Sequence, residues 1–236
     1  GDMLEELILI PCSCKKESVS DYAESDKDVR SFLDDLNEDY ESKLNALQKK
    51  VAESFNIGLN EERVEGVPSY KMYSGKLYSQ LDSELWRKMQ KDDRREMCII
   101  TPLYGVIYWD EHIVDYNVSM EDNINDNRLN TWWKHNNLSD FLSHYIESNG
   151  FEIVRSLLPV SHKKSMPFIQ YDIGVDWLQY DYPALRSGSN YYWGWDLIRI
   201  LNDEDIVCPE CGSRKTKRIS KEYFGCIECG TIYGVE

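Results

Sequence analysis

The sequence predicts a single mixed α/β (α+β) domain followed by a small four-cysteine zinc ribbon. Three observations predict it. Short, wholly apolar runs ended by proline or small residues alternate with segments whose apolar residues recur every three to four positions. That is the pattern of buried strands beneath amphipathic helices. Hydrophobic residues make up 42% of the 236 positions and aromatic residues 12%, enough to build one sizeable core. Near the C-terminal end stand two Cys-x2-Cys-Gly knuckles. The acidic stretch from Asn202 to Asp205 marks the boundary, giving a body over residues 3–202 and a ribbon over 203–236. Gly1 and Asp2, ahead of Met3, read as a cloning remnant.

Glu6-Leu7-Ile8-Leu9-Ile10-Pro11 suits a buried strand of a parallel or mixed sheet. Residues 28–55, with Val29, Phe32, Leu33, Leu36, Tyr40, Leu44, Leu47, Val51 and Phe55 apolar, predict an amphipathic helix, long or broken once. The nine acidic residues from Asp21 to Glu41 read as its solvated face, or as an acidic surface for a protein partner. Pro68 to Gln80 is expected to be a strand that turns, and Leu81 to Arg95 a helix. Met97 to Thr101 predicts a second buried strand, running into Pro102–Ile107. His112 to Met120 is expected to be extended, and Glu121 to Asn130 a loop. Asn130 to Asn149 predicts one helix closed by Gly150. A third strand is expected over Phe151–Leu158, a fourth over Met166–Val175, and an aromatic-rich helix over Tyr191–Leu201.

Lys and Arg number 27 against 42 Asp and Glu, a formal net charge of -15. Such a surface repels phosphate backbones on average, so nucleic-acid contact must rest on local basic patches. No apolar run approaches the ~20 residues of a membrane span, and Leu7–Pro11 is too short for a signal peptide. Seven cysteines, an odd number, of which four have metal spacing, fit a reducing, cytoplasmic setting.

Cys208, Cys211, Cys226 and Cys229 form the two knuckles, fourteen residues apart, each followed by a glycine. Four thiolates around one Zn2+ leave no open position, so the expected metal is structural. Between the knuckles lie Arg214, Lys215, Lys217, Arg218 and Lys221, with no acid among them. The strip reads either as a solvated hairpin offsetting the thiolates or as a phosphate-contacting finger.

Ligands in α/β sheets sit beyond the carboxyl ends of strands. Three clusters occupy such positions. The first is Cys12, Ser13, Cys14, Lys15 and Lys16, where neighbouring ammonium groups are expected to lower a thiol pKa. Its bland reading is a loop of convenient small residues. The second is Tyr104-Gly105, where glycine permits close approach of a ligand or of backbone. The third is Ser161, His162, Lys163 and Lys164, in which the histidine reads as a catalyst or as a satisfied structural residue. Tyr73 and Lys76 belong to a further glycine- and tyrosine-rich segment.

The order of several segments resembles the YaaA family of peroxide stress proteins. Leu7–Pro11 with its Cys/Ser/Lys loop resembles that family's first strand, and Tyr73-Ser74-Gly75-Lys76-Leu77-Tyr78 its central glycine–tyrosine segment. Leu103-Tyr104-Gly105-Val106-Ile107 is similar to its Leu-Tyr-Gly-Val-Leu, and Asp115-Tyr116 to Met120 to its Pro-Tyr-x-x-x-Met. Thr131-Trp132-Trp133 and Leu157–Ser161 are similar to its aromatic helix and a later strand end. The resemblance spans about residues 4–175 and implies a central mixed sheet, DNA binding through a cleft, and protection from peroxide. Pro11-Cys12-Ser13-Cys14-Lys15 replaces the family's Ser-Pro-Ala-Lys, Asp115-Tyr116-Asn117 replaces Pro-Tyr-Arg, and the ribbon is an addition. Pro11-Cys12-x3-Lys16 is also similar to the opening of the archaeosine synthase core domain, although Glu17-Ser18 follows in place of Pro-Tyr. That second likeness implies nucleobase modification, with Cys12 as nucleophile and Lys16 polarising the substrate.

Three functions follow. One is nucleic-acid binding, DNA or RNA, by ribbon and cleft lysines. Another is catalysis on a nucleobase or nucleotide by Cys12, Lys16, Ser161 and His162 converging in one pocket. A Cys12–His162 separation beyond ~10 Å would exclude direct cooperation between them. The third is an adaptor that binds protein partners without catalysis.

Overall fold

The computed structural model describes residues 4–17, 29–59, 66–182 and 189–235. The acidic residues from Asp21 to Asp28 therefore lie outside the described residues. Strand β1 (Glu6–Pro11) is buried from Leu7 onward, as a continuous apolar run requires. The segment after it does break once. A 3-10 turn over Phe32–Asp35 is capped by Ser31, and helix α1 (Glu38–Ser54) starts at Asn37, whose side chain accepts from the Tyr40 amide.

Between Pro68 and Gln80 the expected strand is absent. The chain forms a two-residue strand β2 (Val67–Pro68) and two single-turn helices, α2 (Ser69–Met72) and α3 (Lys76–Ser79). Tertiary packing overrides β-propensity here. Ser69 donates to the Trp109 carbonyl at 2.6 Å, and Tyr70 packs against the stacked Trp86 and Trp109 with centroids 5.0 Å away in each case. Helix α4 (Ser83–Lys91) stops short of Arg95, where β3 (Arg95–Thr101) begins. β4 (Gly105–Tyr108) returns antiparallel to it.

The predicted extended run from His112 keeps only the short strand β5 (His112–Ile113), paired with β2. The predicted loop after Met120 holds a small hairpin, β6 (Asn123–Ile124) and β7 (Asn127–Arg128). It turns through Asn125 and Asp126, both at positive φ. The single helix expected over 130–149 is two, α5 (Leu129–His135) and α6 (Leu138–Asn149). Asn137 breaks it in the left-handed region at φ 59°, and Gly150 at φ 68° closes it as expected.

Strand β8 (Ile153–Ser156) leads into the short helix α7 (Val160–Lys163). Met166–Val175 is not the fourth strand. Met166, Ile169 and Ile173 are buried at helical spacing around α8 (Ile169–Asp172), and the strand is β9 (Asp176–Gln179). Helix α9 (Ser189–Leu201) follows, and then the ribbon strands β10 (Thr216–Arg218), β11 (Tyr223–Cys226) and β12 (Ile232–Gly234).

The central sheet has the order β4-β3-β1-β8-β9. Its last four strands are mutually parallel and β4 is antiparallel, so the sheet is mixed. The acidic linker is tied to this sheet. Asp203 pairs with the buried Arg95, and Asp205 with the buried Arg155 at 2.9 Å, while both arginines share Glu6 of β1.

Candidate active-site cleft and metal centre

A cleft of about 640 Å³ opens where β1 and β8 end. One wall is the loop Pro11–Lys15, and another is the segment Ser74–Ser79 with α3. Pro159 and His162 form the floor, and Tyr191 and Trp193 of α9 line the remaining side. Its position matches the rule that ligands sit beyond the carboxyl ends of parallel strands.

Cys12 and His162 meet here, with Sγ 3.3 Å from Nε2. On the far side of the ring, Nδ1 lies 3.1 Å from Ser161 Oγ. The expectation of a lowered Cys12 pKa is overturned. Burial, reinforced by Cys14, pushes the thiol up to about 12, and the opposing effect of Lys16 does not offset it. Burial also pulls His162 down to about 4. Both groups are therefore neutral at rest, the thiol in contact with Nε2 and the Ser161 hydroxyl with Nδ1.

The loop is laced to the segment opposite. Ser13 Oγ accepts from the Gly75 amide at 2.9 Å and donates to the Lys15 carbonyl at 2.8 Å. A Cβ on Gly75 would stand 2.3 Å from that oxygen, so the close approach itself requires glycine. The Ser74 amide donates to Lys15, and Tyr78 Oη donates to the Pro11 carbonyl at 2.6 Å. Lys16 pairs with Tyr73 in an isolated bridge, behind the cleft lining. Its ammonium lies 4.2 Å from the ring centre of Tyr116, whose hydroxyl is 2.6 Å from that of Tyr73. Burial lowers the Lys16 pKa.

The four ribbon sulfurs all lie within 4.8 Å of one another. Cys208 and Cys229 are 3.6 Å apart and Cys211 and Cys226 3.5 Å, too far for disulfides. A tetrahedron with Zn–S bonds of ~2.3 Å has sulfur–sulfur edges of about 3.8 Å, so the thiols fit zinc. They form the one such cluster found among the described residues.

The sequence model of a family described as Peroxide stress protein YaaA matches residues 7–175. The chain belongs to the YaaA family. A comparison with curated proteins returns no match. The matched span ends before α9, so the YaaA-family region supplies Cys12, Gly75 and His162, while Tyr191 and Trp193 come from outside it.

Other expected site residues of this YaaA-family chain are placed differently. Gly105, at φ 75°, admits the core side chains of Leu138 and Trp133 rather than a ligand. Tyr104 is buried, its hydroxyl accepting from the Val114 amide. Lys15 and Lys76 do line the cleft, Lys76 lying over the Tyr191 ring at 4.8 Å, whereas Lys163 pairs with Asp181 at 2.8 Å and Lys164 is exposed.

The basic strip changes most. Arg218 does not fit the expected phosphate contact: it is buried against Asp196 at 2.5 Å, because the ribbon packs its β10 on α9, and it is closed to phosphate. Arg214 pairs with Asp176 and Asp205, and Lys215 with Glu228, at 3.6 to 3.8 Å. Lys217 and Lys221 are exposed.

Tyr78, Tyr191 and Trp193 wall the cleft without being among the expected site residues. The aromatic density of α9 is the signal in the sequence that could have found the last two.

Proposed function

We propose that this peroxide stress protein takes an unpaired nucleobase, free or within a nucleic acid, into the cleft, with Cys12 as nucleophile and His162 as its base. The Cys12–His162 contact of 3.3 Å carries the reading. As sulfur bonds to an electrophilic ring or nitrile-type carbon, the thiol proton passes to Nε2 and on to the nitrogen that receives the electron pair. Ser161 accepts from Nδ1–H and steadies the transient imidazolium, while Lys16 favours the transient thiolate from behind. Tyr191 and Trp193 offer flat faces to a base. Lys15 and Lys76 at the rim suit its phosphate. The ribbon is structural, and any contact it makes with nucleic acid in the cytoplasm rests on Lys217 and Lys221.

Alkylation of Cys12 by iodoacetamide, followed by mass spectrometry of its own peptide, tests this. Nucleoside monophosphates or a short single-stranded oligonucleotide should slow the reaction, and His162→Gln should slow it without ligand. Absence of protection by any of them defeats the reading. Binding of duplex alone, weakening steeply with salt, would instead support simple DNA binding by the rim lysines.

A further inference from the structure

Helix α9 serves two masters in the fold. Its N-terminal half carries Tyr191 and Trp193, which wall the cleft. One turn further on, Asp196 is 1% exposed in its side chain and holds the ribbon's Arg218, itself 3% exposed. Tyr182 Oη donates to the same carboxylate, and the Arg218 guanidinium lies 4.4 Å from the ring centre of Phe224 in the ribbon core. On its other side α9 is tied to α3. The Gln80 amide donates to the Tyr191 carbonyl at 3.3 Å, and Gly194 leaves room for that side chain. The ribbon's own core is four residues, two of them cysteines, so its fold depends on the thiolate cluster.

We infer that the ribbon is a clamp on the Cys12 cleft, holding the α9 wall closed through Arg218–Asp196 while its four thiolates are bound to zinc, and releasing it when they are oxidised. The inference concerns regulation of the site proposed above. Loss of the ribbon fold withdraws Arg218 and leaves the buried Asp196 carboxylate with the Tyr182 hydroxyl but no counter-charge, which the protein relieves by letting α9 move toward water. A peroxide can trigger this. Cys208 and Cys229 lie 3.6 Å apart, Cys211 and Cys226 3.5 Å, and Cys211 and Cys229 are exposed. Within a pair, one thiolate attacks a peroxide oxygen, the O–O bond breaks and hydroxide leaves; the partner thiolate then displaces a second hydroxide from the resulting sulfenic acid, closing the sulfur–sulfur bond and releasing the metal ion. Two protons from solvent complete two waters.

The test reads Cys12 alkylation without any nucleotide, so it stands apart from the ligand question. Full-length protein is compared as prepared, after zinc is stripped by a chelator, after hydrogen peroxide, and as Asp196→Asn. Fragment ions separate Cys12 from Cys14, and zinc content and far-ultraviolet circular dichroism are measured alongside. Stripped and oxidised protein should alkylate Cys12 roughly tenfold faster, a factor that matches a local opening eased by ~1.4 kcal/mol. Asp196→Asn should do the same while retaining its zinc. Unchanged Cys12 rates in stripped protein overturn the inference, as does loss of the whole circular dichroism spectrum, which would mean global unfolding. Should Asp196→Asn not fold, the wild-type zinc and peroxide arms still decide. If these respond while no nucleotide protects Cys12, the clamp stands and the ligand reading falls.

Discussion

Cys12 and His162 are displaced from their ordinary pKa values in opposite senses by one leading cause, burial, which penalises the charged form of each. For His162 the folded value of about 4 lies below the unfolded 6.5, so folding disfavours the proton. Its contribution is complete above pH 6.5 and lost as pH falls toward 4, amounting to about 3 kcal/mol at the acid end. Urea unfolding of wild type and His162→Gln should diverge across that window, and parallel profiles would show the imidazole is not desolvated. For Cys12 the alkylation rate should keep climbing from pH 9 toward 12. A plateau near neutrality would reveal a thiolate–imidazolium pair instead. Gly75→Ala adds a Cβ 2.3 Å from Ser13 Oγ and 3.2 Å from Ser13 Cβ, displacing the side chain that accepts from the residue's own amide. It should cost about 1–3 kcal/mol and slow nucleophilic chemistry at Cys12, measured by denaturation and by alkylation.

Elements long enough to repeat their period were legible in the sequence. β1, β3 and α1 announce themselves by unbroken burial or by helical spacing, and the cysteine knuckles by spacing alone. Single-turn helices were not, because one turn shows no period. α2 and α3 exist through Ser69, Tyr70 and Tyr78, whose partners lie far along the chain. The break at Asn137 was equally hidden, since a left-handed asparagine has no signature apart from its identity. The site divided in the same way. Cys12 and His162 stand out in the sequence by their places after strands, but their pKa directions depend on burial that only tertiary structure supplies. Gly105, whose place in the sequence allows close approach of a ligand or of backbone, instead opens for Trp133 and Leu138. Gly105→Ala, at φ 75° and 2.9 Å from Leu138, should therefore destabilise by roughly 1–3 kcal/mol. Nucleotide protection at Cys12 should be unaffected once the protein is folded.

At the scale of the whole molecule, ribbon and body are joined by charge inside a protein whose surface is strongly acidic. The Arg218–Asp196 pair is almost wholly out of water, where desolvation offsets most of the attraction. Such a pair does little for net stability, yet breaking it is costly, because the survivor stays buried and uncompensated. Arg218→Met should accordingly lose about 3–5 kcal/mol, read from denaturant unfolding of the zinc-loaded protein. The double variant Arg218→Met with Asp196→Leu, which removes both charges, should recover most of that loss. If instead the double variant is as unstable as the single, the pair contributes net stability. A clamp built to let go would then be the wrong description of this interface, because releasing Arg218 would cost more than an oxidised ribbon could tolerate.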